Sequence, residues 1–347
     1  MYDCSKDVLA YHDEKVTLSQ PLRTNMRDRR NANRERLKQR LTETEKPLPQ
    51  EFIKQGSYAM LTMVQDDNND YDIDDGVYFT KDALRSKDGS DMAPKDVRQM
   101  VCDALKDDRF IKQPQVKANC VRIYYQEGYH VDMPIYRIVD EKYELAAGDS
   151  WVPSRAADVE DWFKNVNEIK SPDGENGRQF RRIVRMLKKF ARSRNAWKDP
   201  IATGFTITKL AEECYVSNKD REDRALRDTM SGIRTRLLVN LEVAHPVTLG
   251  AKLTKGPDDK STLFFRDKLV EALKDLEILD DSKCSYKQAL AALDKVFNTD
   301  FFSLRYEDVE KSENAATLAG LLSSTRGLRK GVVNTRNRPL CDLATPL

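Results

Sequence analysis

Long apolar runs are missing from this chain: no stretch approaches the roughly 20 residues of a membrane-spanning helix. The opening Met1-Tyr2-Asp3-Cys4 also lacks the basic and apolar stretches of a secretory leader. Histidine is scarce, with His12, His130 and His245 far apart, and the six cysteines (Cys4, Cys102, Cys120, Cys214, Cys284, Cys341) form no C-x-x-C pair. These absences exclude a zinc ribbon and a disulfide framework and point to a reducing, cytoplasmic setting with no membrane contact. Charge imbalance is missing too: 59 Lys+Arg face 57 Asp+Glu, a net charge of +2. Nothing global therefore favours a nucleic-acid duplex, and any affinity for phosphate has to come from local clustering.

What is present is enough apolar material, 39% of 347 residues, for two packed lobes. Sparse apolar residues between Leu22 and Leu41 (Leu22, Met26, Leu37, Leu41) among many arginines predict a long helix with one thin buried stripe, ended by Pro47 and Pro49. The next stretches predict a strand over Glu51 to Lys54, a helical turn or two over Tyr58 to Val64, a strand over Tyr71 to Thr80 and a helix over Pro94 to Lys106. Two strands, Gln115 to Tyr125 and Tyr129 to Val139, complete a mixed α/β first half. Beyond Asp158 the pattern is helical: Val159 to Glu168, Gly177 to Arg194, Thr206 to Tyr215, Arg221 to Leu241, Ser261 to Leu279, Ser285 to Phe297 and Asp308 to Ser323.

Asp72-Ile73-Asp74-Asp75 is the sharpest local feature. Acids at i and i+2 on a strand point to one face and can share metal ions. A third acid from another element completes such a set, and Asp132, in His130-Val131-Asp132-Met133-Pro134, lies on a strand able to sit beside the first. A calcium loop starting at Asp70 fails, because its sixth position is Asp75 instead of Gly and its twelfth is Lys81 instead of Glu. A solvated acidic turn is the plain competitor, since charge runs are usually surface. Gly56-Ser57 ahead of the acids shifts the balance: glycine lets phosphate approach the backbone, and serine adds a hydroxyl beside free N–H groups.

With Gly-Ser, Asp-x-Asp and a third acid in that order, the chain resembles the DNA polymerase beta-like nucleotidyltransferases. More narrowly, Gln55-Gly56-Ser57, Asp72 to Tyr78, Cys120 to Ile123, His130 to Tyr136 and Trp151 with Val159 to Phe163 look like the DncV group of cyclic-oligonucleotide synthases, related to animal cGAS. The resemblance runs from about Gln55 to Lys188. It implies an α+β, bilobal fold: a long N-terminal helix with a mixed-sheet catalytic lobe (1–158), a helical nucleotide-binding lobe (159–325) and a basic mobile tail (326–347). It implies that Asp72 and Asp74 hold two Mg2+ ions, with Mn2+ as a substitute, and that Asp132 ligates the ion activating the acceptor hydroxyl.

By the same resemblance Gly56 and Ser57, with Gln55 before them, hold the donor triphosphate. Lys188, on the basic face of an otherwise apolar helix (Arg181, Arg185, Lys188, Arg192), binds phosphate; the competing reading of that face is a solvated surface. Arg122 and Ser154, with Arg155, are expected near the bases. Thr203 and Thr206 fall near a family serine that touches phosphate, while Ala59-Met60 stands where the family has a stacking aromatic.

The implied substrates are ATP with GTP or pyrimidine triphosphates. The implied product is a cyclic di- or trinucleotide that activates a separate effector in antiphage (CBASS) signalling, with a regulatory protein partner. Without a Cys/His cluster, activation by DNA is not expected, and His130 and Cys120 are read as structural. The competing functions are a synthase of linear oligonucleotides, a protein-nucleotidylating enzyme, and a nucleic-acid-binding protein using Arg23, Arg27, Arg29, Arg30, Arg34 and Arg36. The plain alternative for those arginines is a helix that braces the lobes.

Overall fold

The structure, a computed structural model, describes residues 1–66, 71–86, 88–175 and 177–307. The helix expected over Asp308 to Ser323, the basic tail from residue 326 and Cys341 lie outside the described residues.

The fold is α+β. An eight-stranded mixed sheet is built around β2 (Asp72–Thr80), which pairs antiparallel with β1 (Glu51–Gln55) on one edge. On its other edge β2 runs parallel to β5 (His130–Met133) and then β6 (Ile135–Val139), in one unbroken register from Asp72↔His130 to Thr80↔Ile138. A single strand is expected from Tyr129 to Val139. Pro134 divides it, because proline has no N–H to give the ladder, although its carbonyl still accepts from Val77 N–H at 2.9 Å. The outer edge changes partner at this break: β4 (Val121–Tyr124) and β3 (Gln115–Val116) extend from β5, whereas β7 (Lys142–Ala147) and β8 (Ser150–Ser154) extend from β6. The β7–β8 hairpin, turning at Gly148 with φ +53°, was not expected from the sequence, since only Tyr143, Leu145, Trp151 and Val152 give it apolar alternation.

One face of the sheet is covered by α2 (Gln20–Glu43) and α4 (Pro94–Leu105). Ser19 caps α2 by accepting Leu22 N–H, and its thin stripe of Met26, Leu37 and Leu41 is fully buried against Ile73, Val77, Val101 and Val131. Its arginines are mostly engaged: Arg34 forks onto the fully buried Asp75, Arg29 reaches Glu127 at 2.9 Å, and Arg36 reaches Asp107 at 2.9 Å. This helix binds the lobe together.

Helices α5 (Ala156–Lys170), α6 (Gln179–Arg192), α7 (Gly204–Cys214), α8 (Glu222–Val239), α9 (Lys260–Asp275) and α10 (Tyr286–Phe297) form a second core with α6 at its centre. The short α1 (Ser5–Tyr11) and a π-helical turn (His12–Val16) belong to this core, through Cys4, Val8, Tyr11 and Val16, and not to the sheet's. The pairing is mutual: Cys4 N–H donates to Asp223 at 2.9 Å and Glu222 N–H donates to Ser5 Oγ at 2.9 Å, joining the starts of α1 and α8. The small α3 (Gly56–Ala59) links β1 to a segment, 60–65, that also enters the helical core through Met60 and Val64. Among the described residues no helix is long and apolar enough to cross a membrane.

The Arg34–Asp75 pair sets a stability test. Removing one partner of a buried ion pair leaves an uncompensated charge, so Asp75→Ala is expected to destabilise the chain by about 3 kcal/mol in urea unfolding. Arg34→Met with Asp75→Leu should recover most of that; equal losses in both variants would show that packing, not charge, is the cause.

Candidate active site

The alternation of β2 sends Ile73 and Asp75 toward α2 and α4 and puts Asp72 and Asp74 on the opposite face. Parallel pairing with β5 then places Asp132 beside Asp74 as its register partner, so the three acids expected from spacing do meet on one face. Like charges this close raise one another's proton affinity. Asp74 is pushed up to about 6, first by burial and then by the charges of Asp132 and Asp72.

The other two acids are compensated. Arg122, opposite Asp132 on β4, grips it with two bonds of 2.7 Å, and the His130 ring lies against Asp72, whose carboxyl is held below its usual range chiefly by that contact. Arg122 is thus engaged with an acid and not free beside a base, and His130, expected to be structural, touches the acid set directly.

Among the described residues no three His, Cys, Asp or Glu side chains stand as a ready-made metal cage. The donor set nevertheless suits a hard divalent cation: three carboxylates on adjacent strands, one of them kept protonatable first by burial and then by crowding that a cation would relieve. Both oxygens of Asp132 are occupied by Arg122, so a metal ion there would have to exchange with that pair.

Gly56 explains how the Gly-Ser turn and the acids fit together. Its φ is +62°, and a Cβ at this position would sit 2.1 Å from Asp74 Oδ2; only glycine tolerates both. Ser57 follows on the same turn. Gln55 lines the cleft between the lobes but is largely buried: its amide donates to Tyr78 O–H at 2.6 Å and accepts from Tyr136 O–H at 2.9 Å, and the two phenol rings stack at 4.5 Å. Gln55 therefore props the β1–β2 junction.

Across from these residues, α6 supplies Lys188. Its basic face is solvated only in part: Arg185 and Lys188 are buried and Arg181 partly so, whereas Arg192 is exposed. Lys188 Nζ bonds to Thr62 Oγ1 at 2.8 Å and Thr62 O at 3.3 Å, and burial, with the charges of Arg192 and Arg185, brings it down to about 7. Arg185 donates twice to Leu61 O (2.8 and 2.6 Å) and Lys189 once to Gln65 O (3.0 Å), so the segment after α3 is held by its carbonyls to α6. Thr203 is placed as the cap of α7: its hydroxyl accepts from Thr206 N–H at 3.2 Å and shares a hydrogen bond with Thr206 Oγ1 at 2.9 Å.

Between the lobes lies a cavity of about 560 Å³ that contains Gly56, Ser57, Asp72, Asp74, Ser154 and Lys188, a size suited to small organic ligands. Arg192, Phe205, His245 and Thr248 also line it. Apart from Arg192 on its basic face, these residues carry no local motif; only the fold brings them in. A larger concavity of about 1150 Å³, beside Arg36, Phe110 and Tyr125, lies apart from the acids, and several of its arginines are already paired with Asp107 and Glu127.

Residues 50–136 match the model of the cyclic GMP-AMP synthase DncV-like nucleotidyltransferase domain family. Over most of the chain the fold is that of solved relatives. The crystal structure of Vibrio cholerae DncV cyclic AMP-GMP synthase superposes with a TM-score of 0.65 at 16% identity, covering 83% of this chain and 92% of that one. The same enzyme in complex with nonhydrolyzable GTP gives 0.67 at 17%, covering 86% and 96%. E. coli MS115-1 CdnC with ATP gives 0.60 at 16%, covering 86% and 98%.

Two tests follow from this geometry. Gly56→Ala should abolish activity with the fold retained by circular dichroism, because the methyl both strains the backbone and displaces Asp74; near-normal turnover would refute the crowding. Lys188 titrates near 7 folded and near 10.4 unfolded. Between those values the unfolded chain holds a proton that the folded chain has lost, so wild-type stability rises with pH across that window. The thermal midpoint of Lys188→Met, relative to wild type, should accordingly fall from about pH 6 to about pH 9; a constant gap would show that this lysine is not depressed.

Proposed function

We propose that this chain, a nucleotidyltransferase carrying a DncV-like domain, condenses nucleoside triphosphates, ATP among them, into a cyclic di- or trinucleotide with release of pyrophosphate. The observation that carries the proposal is the meeting of Asp72, Asp74 and Asp132 on one face of the sheet, the first two lining a cleft that Gly56, Ser57 and the buried Lys188 also line. Substrate classes are suggested by the relatives, whose structures contain a GTP analogue and ATP respectively.

In the proposed reaction a ribose hydroxyl of one nucleotide attacks the α-phosphorus of another. The new O–P bond forms as the bond to the β-phosphate oxygen breaks, and the hydroxyl proton leaves to a nearby base or water. Asp72, Asp74 and Asp132 would hold Mg2+ or Mn2+, which when bound lowers the hydroxyl's pKa and screens phosphate charge. The chain's own residues do the rest. Gly56 brings its backbone close to the phosphates, the Ser57 hydroxyl adds a donor, and Lys188 with Arg192 places positive charge on the far wall. The Lys188 ammonium, costly in its buried site, is favoured once a triphosphate arrives. Ser154 and Phe205, which line the same cleft, would meet the base. A second turn of the same chemistry on the linear product would close the ring, and the ring would serve as a signal to an effector in antiphage defence, in a cytoplasmic setting and under a regulatory partner.

Mass spectrometry after incubation with all four triphosphates tests this. Wild type with Mg2+ should yield a phosphatase-resistant product, EDTA should stop it, and Asp72→Asn or Asp132→Asn should lower it at least a thousandfold. Phosphatase-sensitive products would mean linear synthesis, labelled protein would mean nucleotidylation, and unimpaired variants would end the proposal.

A further inference from the structure

Part of the cleft wall is a cluster that no local motif marks. Phe205, near the start of α7, packs edge-on against His245 at 5.5 Å and against Trp162 of α5 at 6.4 Å. His245 stands on a closed loop: its own N–H donates to Ala251 O at 2.9 Å, Ala244 bridges Lys252, and Arg155 donates to Val247 O at 2.8 Å. Ser154, Arg155, Phe205, His245 and Thr248 all line the cleft. The ring next to Ser57 is turned elsewhere, since Tyr58 does not line this cleft and Arg30 lies over it at 5.5 Å. Tyr71 does line it but is 2% exposed, its hydroxyl accepting Asp66 N–H at 3.0 Å. Phe205 and His245, both half-buried, are the rings left for a base to meet.

The loop fixes which nitrogen of His245 carries the proton. Nδ1 accepts from Thr248 N–H at 3.1 Å and from Val247 N–H at 3.3 Å, so it presents its lone pair and the ring proton sits on Nε2. Burial, and then the charge of Arg155, hold the imidazole below its ordinary range, so the ring is neutral at pH 7. Among the described residues Nε2 has no hydrogen-bond partner, and it lies on the ring edge away from the two amides. The result is a group that donates and cannot accept, set beside an aromatic ring in the cleft wall. We propose that His245 selects adenine, its Nε2–H donating to an unprotonated ring nitrogen of the base while Phe205 packs against the base face. The inference rests on the nucleotidyl transfer proposed above and names the base that this wall takes. The cluster holds no Asp, Glu, Asn or Gln to accept the ring N–H and amino group of guanine, and Asp158, the ion-pair partner of Arg155, does not line the cleft. The Ser154 and Thr248 hydroxyls suffice for the single amino group of adenine. Guanine turned the same way would set its ring N–H against Nε2–H, leaving two donors unpaired.

Equilibrium binding of triphosphates to the full chain, with Ca2+ in place of Mg2+ to hold turnover off, tests it. In His245→Asn the side-chain carbonyl can still accept from the Val247 and Thr248 amides, but no donor reaches the Nε2 position; in His245→Gln the amide N–H does. The asparagine variant should bind ATP about tenfold more weakly with GTP little changed, and the glutamine variant should recover part of the ATP affinity. One of 1-deaza-ATP, 3-deaza-ATP and 7-deaza-ATP should bind wild type about tenfold more weakly than ATP does, yet bind His245→Asn as ATP does, because analogue and variant remove the two ends of one hydrogen bond. Equal losses for ATP and GTP in His245→Asn, or no analogue whose loss vanishes in that variant, would overturn the assignment, while product formation by wild type would leave the reaction standing. A wild type that binds only pyrimidine triphosphates would likewise overturn the choice of adenine alone, and one that binds no nucleoside triphosphate would end both.

Discussion

Three carboxylates on neighbouring positions of two paired strands repel one another, and the surrounding structure is arranged around that repulsion. Arg122 neutralises Asp132 from the next strand, His130 lies against Asp72, and Asp74, buried and without a cation of its own, is left with a raised proton affinity. Behind the sheet a fourth acid, Asp75, would add to the field but is taken by Arg34 of α2. The consequence is a face with high demand for positive charge, only part of which the chain itself supplies. That is the electrostatic condition for capturing a divalent cation.

The helical core answers with the opposite sign. Side chains of α6 reach the carbonyls of Leu61, Thr62 and Gln65, so the segment leaving Gly56-Ser57 is fixed by the lobe that carries Lys188, although α3 itself grows out of the sheet. Met60 and Val64 add apolar anchoring in the same core. Any shift of α6 is therefore passed directly to the residues beside the acids, and the cleft is as rigid as those few hydrogen bonds and packed side chains make it.

Much of this was legible in the chain. Strand alternation put Asp72 and Asp74 on one face without knowledge of the fold, and the apolar repeats located α2, α4 and the later helices to within a few residues. What periodicity cannot carry is pairing. Nothing local told that Pro134 divides a strand whose register continues, that Arg122 would fork onto Asp132, or that Gln55 would sit between two tyrosines. On the basic face of α6 the sequence left two readings open: a run of cations on one helix face ordinarily marks solvent, as Arg192 does, but Arg185 and Lys188 are buried because carbonyls of another segment accept from them. The helix α1 carries little local signal because Val8, Leu9, Ala10 and Tyr11 run consecutively and mark no one face; burial of Cys4, Val8 and Tyr11 in the helical core and the reciprocal caps with α8 hold it.

The parallel register between β2 and β5 has a consequence for how the molecule comes into being. Asp74 and Asp132 are partners separated by 58 positions (132 less 74), and a parallel ladder has no hairpin to bring its strands together locally. A growing polypeptide emerging from the ribosome holds the Asp-x-Asp pair well before its companion exists. The acids converge only after that long loop has closed, so chemistry at this face is withheld until most of the sheet has been made.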